Sequence, residues 1–264
     1  MADRAIQSNL YPRIYAPTVL DDAALRRLRG EEAERCVVFA SWHAIEPSED
    51  VYDEHAVDEL RQRLMRVGSL GCEPVLCFYR GEDPAWFTAK GGWQKEDNLR
   101  CFLRYVGRVT RTAGHLCSEY ITFYEPNALL WENSGPRRSL PQAVTELSHM
   151  ACTHVRAFRL IRDTREQRQL GTTAVGFALR LCTNAEVRGK FLRGRLPVGA
   201  ALYEKLPLLA MARGEFHLPV RNTLRVQPGI WADFIAVSAS PKRCERCCAQ
   251  ARTLTGVECR ILEE

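Results

Sequence analysis

The stretch ITFYEP, residues 121–126, decides how the rest of the chain is read. Ile121, Thr122 and Phe123 favour an extended backbone, Tyr124 and the single acid Glu125 follow, and Pro126 stops the run. A carboxylate at the end of a buried strand is costly unless it is solvated, paired or used. The carboxyl ends of parallel strands are where α/β proteins hold their chemistry. Glu125 is therefore the first candidate functional residue.

Moving outward from this strand, short apolar runs alternate with helical patterns. CVVFASW (36–42), EPVLCFYR (73–80), LGTTAVGF (170–177), ADFIAVSAS (232–240) and GVECRIL (256–262) read as further strands. Between them the three-and-four spacing of apolar residues predicts helices over about 18–29, 54–67, 97–113, 141–163, 199–213 and 242–253. Pro141 sits near the first turn of its helix, where a missing N–H is harmless. Such alternation favours a parallel sheet with right-handed crossovers, either a barrel or an open doubly wound sheet. No GxGxxG follows a strand and no GxxxxGK[ST] is present, so a nucleotide-binding loop is not expected.

Composition narrows the classes further. The 264 residues suffice for one large α/β domain, and a formal net charge of +5 comes from scattered rather than clustered bases. Neither a nucleic-acid face nor a membrane partner is expected, and no cofactor. The N-terminal MADRAIQSNLYPRIY lacks the apolar core of a signal peptide, which predicts a cytoplasmic protein with reduced thiols. Cys244, Cys247 and Cys248 in KRCERCC form the one dense cysteine group. A zinc site needs a second pair at recognisable spacing, so no metal site is assigned, and the three read as thiols on a surface helix.

Four segments in order carry a family resemblance: SWHAIEPSEDVYDE (41–54), DPAWFTAKGGWQ (83–94), YITFYEP (120–126) and IWADFIAVSAS (230–240). Together they resemble glycoside hydrolase family 1, the β-glucosidase family, over roughly residues 15–240. The resemblance implies a TIM-type (β/α)₈ barrel. Only about six β/α units are recognisable in the single domain 1–264, so the barrel is expected to be incomplete, with an open edge available for self-association. It implies retaining hydrolysis of β-glycosides, with Glu125 as the acid/base that protonates the leaving oxygen and then activates water. The partner would be a small glycoside or sugar phosphate.

The departures from the family fall in the site. Tyr124 stands where the family has a sugar-binding Asn, Arg80 where it has His, and Val37 where it has Arg. Ala239 and Ser238 replace a Tyr and an Asn. The family's first strand has no room before residue 15. Its nucleophile motif lacks a clear counterpart; RILEE (260–264) offers Glu263 as a reduced version. Trp42, His43 and Trp131 are further candidates for the barrel mouth, while Trp86 and Trp93 read as packing residues. The activity is accordingly expected to be weak or lost. The alternative is a non-catalytic barrel that binds a carbohydrate or a protein.

Overall fold

A computed structural model describes residues 11–30, 34–128, 139–181, 204–239 and 243–263. Among these, seven parallel strands close into a barrel: β1 (Arg13–Tyr15), β2 (Arg35–Phe39), β3 (Glu73–Cys77), β4 (Glu119–Tyr124), β5 (Ala174–Arg180), β6 (Phe234–Ser238) and β7 (Glu258–Glu263). Surrounding helices are α1 (Asp22–Gly30), the short α2 (Trp42–Ile45), α3 (Glu54–Ser69), the short α4 (Ala85–Ala89), α5 (Leu99–Ala113), α6 (Leu140–Gln167), α7 (Leu206–Arg213) and α8 (Cys244–Thr255).

The expected TIM-type barrel short of eight strands is what the described residues form, and two details of the expectation differ. The strand count is seven rather than about six, because RIY at 13–15 supplies β1. The described strands leave no open edge, because β1 pairs with β7 as well as with β2; Arg13, Ile14 and Tyr15 align with Ile261, Leu262 and Glu263. Closure satisfies the ladder groups that an edge would leave unpaired.

Each strand separates an inner from an outer layer by its alternation. Ile14, Val37, Val75, Cys77, Ile121, Ala178, Phe234, Ala236 and Leu262 fill the lumen. The amino-terminal end of the barrel is sealed by charge. Glu119, on β4, receives Arg35 from β2 at 3.2 Å and Arg260 from β7, and the Arg260 guanidinium lies 4.0 Å above the Phe234 ring.

The outer layer explains the motifs that carry the family resemblance. Trp42 is 1% exposed and stacks on Tyr105 at 5.4 Å, among Phe87, Trp93 and Phe102. Its indole N–H donates to the fully buried Glu46 carboxylate at 2.8 Å, and Trp86 donates to the Glu46 carbonyl at 2.8 Å. Arg104 completes the arrangement at 2.7 Å from Glu46. These residues hold α2, α4 and α5 against β2, β3 and β4. The Trp42 ring is thus engaged in packing on the outer side of the barrel. No helix among the described residues is long and apolar enough to cross a membrane.

Candidate functional site at the carboxyl end of the barrel

Strand β4 delivers Glu125 by two local irregularities. First, its pairing with β5 shifts register between Ile121 and Tyr124. Thr122 reaches outward to His154 and Phe123 outward to Phe102, so two consecutive residues face the helices. This is the effect of a bulge: it resets the alternation and turns Tyr124 into the lumen, where its ring meets Phe39 edge-on at 5.1 Å. Second, Glu125 takes the left-handed backbone region at φ 48°. Its N–H donates to the Ala178 carbonyl at 3.0 Å, which ties the turn to β5.

Glu125 is 3% exposed and both of its oxygens are engaged. Oε1 accepts a short hydrogen bond from the Ser238 hydroxyl, and Oε2 lies 2.7 Å from the Arg180 guanidinium. Arg180 and Ser238 end β5 and β6 in direct register, on the lumen side. Asn127 locks this corner in place: its side-chain N–H donates to the Arg180 carbonyl at 2.7 Å, and its oxygen accepts the Arg180 N–H at 3.2 Å. A buried carboxylate is stable only when paired and hydrogen-bonded, and here it is both.

The residues expected at the site from sequence divide clearly. Tyr124 and Glu125 are together at the mouth. Arg80 lies 4.7 Å over the Phe39 ring and donates to the Thr18 carbonyl at 2.8 Å. The guanidinium beside the acid belongs to Arg180 instead. His43 is exposed on the rim, bonded to Ser41 at 3.2 Å and 3.5 Å from Glu82. Trp42 is outside the barrel, and Trp131 lies outside the described residues.

Glu263 is not brought to Glu125. Leu262 is the lumen-facing residue of that strand end, so Glu263 faces the opposite side, where it ion-pairs with Arg13. The Arg13–Glu263 pair sits beside Cys244 at the start of α8 and contributes to that thiol's electrostatics. Glu263 is thus engaged with Arg13 on the outer side of β7. Among the described residues, the lumen-facing positions near the strand tops are Ala16, Phe39, Tyr124, Arg180, Ser238 and Leu262, none of them a second carboxylate.

Arg180, Ser238 and Asn127 are the site residues that sequence reading missed. Ending β5 at Phe177 left Arg180 outside the strand, although ALR continues the inward alternation from Gly176 through Ala178. The cysteine cluster is corrected in detail: Cys244, Cys247 and Cys248 lie on the buried rather than the solvent side of α8. No group of metal-binding side chains occurs among the described residues.

No family model matches the chain. In structure it is similar to the beta-glycosidase from Pyrococcus horikoshii, with TM-score 0.64 and 20% identity over 82% of this chain and 50% of that one. It is similar to the AHE enzyme from Alicyclobacillus herbarius, with TM-score 0.70 and 15% identity over 89% of this chain and 64% of that one. It is similar also to the glycoside hydrolase family 1 beta-glucosidase from Exiguobacterium antarcticum, with TM-score 0.62 and 15% identity over 82% and 53% of the two chains. The chain spans about half to two-thirds of the length of these structures. The fold is a shortened and divergent version of the barrel found in glycoside hydrolase family 1.

Proposed function

We propose that the protein is a divergent relative of the family 1 β-glycosidases whose barrel mouth binds a small glycoside without efficiently hydrolysing it. The observation that carries this reading is the engagement of Glu125 by Arg180 and Ser238. A retaining glycosidase needs its acid/base free to give a proton to the leaving oxygen, with a second carboxylate about 5–5.5 Å away as nucleophile. Here both Glu125 oxygens are taken up by Arg180 and Ser238, and none of the lumen-facing residues described near the strand tops is a second carboxylate.

The same groups suit hydroxyl recognition. Glu125 accepts and Arg180 donates hydrogen bonds, and the Tyr124 and Phe39 rings offer apolar faces to sugar C–H groups. Calorimetric titration with methyl β-glucoside, cellobiose and gluconolactone tests the reading. Wild type is expected to bind at least one, and Glu125→Gln and Arg180→Gln to weaken it by about tenfold or more, the scale of one charged hydrogen bond. Absence of binding, or binding unchanged in both variants, contradicts it.

One observation favours a second reading, a slow retaining hydrolase with Glu125 as acid/base. Its φ of 48° costs a non-glycine residue about 1–2 kcal/mol, and such strain concentrates at working sites. A rate measurement separates the two.

A further inference from the structure

A second concavity lies beside the mouth, formed by the segment after β1 and the ends of β2 and β3. Its volume is about 300 Å³, at the lower end of the range for small-molecule sites. Thr18, Phe39, Ser41, Arg63, Arg80 and Glu82 are among its walls. Two arginines from different elements thus line one cleft: Arg63 comes from α3, and Arg80 follows β3.

Neither guanidinium is neutralised. Arg63 is half-buried, and the bond from its Nε to the Glu59 carbonyl is long, at 3.4 Å. Its two terminal nitrogens have no hydrogen-bond or carboxylate partner among the described residues. Burial is strong enough to pull the Arg63 guanidinium below its ordinary pKa, with the neighbouring Glu59 charge only partly opposing it. Arg80 bonds the Thr18 carbonyl and rests on Phe39, a neutral acceptor and a ring. The acid on the rim, Glu82, faces His43. A partly desolvated cation that makes no ion pair is unfavourable, and two guanidinium groups and a hydroxyl lining one cleft are groups that take a tetrahedral oxyanion.

We infer that this cleft is a binding site for a compact phosphate-bearing ligand, a phosphate monoester of a small polyol, held by Arg63, Arg80 and the Ser41 hydroxyl. The inference does not depend on what Glu125 does. The Ser41 hydroxyl lies in the wall of the cleft and contacts the His43 ring at 3.2 Å. Phe39 separates the cleft from the mouth, with Arg80 on one face and Tyr124 at its edge.

The test is calorimetric titration of the full chain with inorganic phosphate, glucose 6-phosphate, glucuronate and glucose at constant ionic strength. Inorganic phosphate and glucose 6-phosphate are expected to bind, with glucose giving no heat at this site. Arg63→Gln and Arg80→Gln are each expected to weaken phosphate binding about tenfold or more, while Arg156→Gln, on the exposed side of α6, leaves it unchanged. Arg80 is the safer variant for folding, and circular dichroism checks both. Failure of both phosphate probes to bind overturns the inference. So does phosphate binding that survives both substitutions, or binding of glucuronate alone.

Discussion

Arg180 and Glu125 form an ion pair at 2.7 Å across the tops of β5 and β4, in which the acid is buried and the base keeps about a third of its side chain in solvent. The pair adds to the backbone pairing of Tyr124 with Ala178 and the bond from the Glu125 N–H to the Ala178 carbonyl, which join the same strand ends. A double-mutant cycle on Arg180→Gln and Glu125→Gln, read by urea unfolding, is expected to give a coupling of about 1–2 kcal/mol. The estimate sits low because of the solvent on the arginine side. Strictly additive effects would mean the contact does not contribute.

The opposite end of the barrel behaves differently. Glu119 is held by two arginines, Arg35 and Arg260, with Arg260 and Glu119 both mostly buried. Glu119→Gln removes the one carboxylate shared by both guanidinium groups, leaving Arg35 only Glu34 and Arg260 only Glu258 as ion-pair partners among the described residues. A loss of about 3–5 kcal/mol in unfolding free energy is expected, more than for either residue of the upper pair. An effect under about 1 kcal/mol would contradict the placement of this cluster in the floor.

His154 gives a pH dependence with a definite sign. It is fully buried on α6, accepting from the Thr122 hydroxyl at Nδ1 (2.6 Å) and donating from Nε2 to the Trp231 carbonyl (2.8 Å). Burial lowers its pKa to about 3. The folded protein therefore holds it neutral, while the unfolded chain protonates it near 6.5. Stability is full above pH 6.5 and falls as pH drops toward 3, by up to about 1.4 kcal/mol per unit. Unfolding at pH 7 and pH 5 is expected to differ accordingly, and His154→Asn to reduce the difference. An unchanged slope in that variant would place the titration elsewhere.

Gly176 tests the packing of the lumen. A Cβ there would meet the Phe234 carbonyl oxygen at 2.3 Å and the Phe234 ring at 2.9 Å. Gly176 pairs with Ile121 on one side and Phe234 on the other, so the backbone cannot yield. Gly176→Ala is expected to cost about 1–3 kcal/mol, seen as a lowered Tm. A neutral outcome would mean β5 and β6 are further apart than described.

The thiols are expected to be inert in the folded state. Burial pushes Cys36, Cys77, Cys117 and Cys259 up to about 12 and Cys72 up to about 11. Iodoacetamide labelling at pH 8, followed peptide by peptide, should be at least ~100-fold slower at these five than in denaturant. Rapid native labelling of any of them would contradict its burial.

Much of the fold was legible because strand and helix alternate with clear punctuation. Helices over 54–67 and 97–113 correspond closely to Glu54–Ser69 and Leu99–Ala113. Strand β1 was hidden because three residues carry too little pattern. The side taken by Glu263 was hidden for a different reason. Cys259 to Leu262 are all buried, so β7 reads as an unbroken run with no polar alternation to set its parity. Trp42, Trp86 and Glu46 made the family resemblance visible, yet they build the outer aromatic layer. Glu125 was legible as a strand-end acid, whereas its partners Arg180 and Ser238 come from strands more than fifty residues away and are joined to it only by closure of the barrel.

The central claim is that Glu125 is held for binding rather than for proton transfer. Initial rates of wild type and Glu125→Gln on aryl β-glucosides, β-galactosides and 6-phospho-β-glucosides test it most directly, with folding of both verified. The expected result is that both proteins stay at the background rate on every substrate. Turnover by wild type that falls a hundredfold or more in Glu125→Gln, the scale for loss of a general acid, would contradict the account. Glu125 would then be a working acid, despite Arg180 and Ser238.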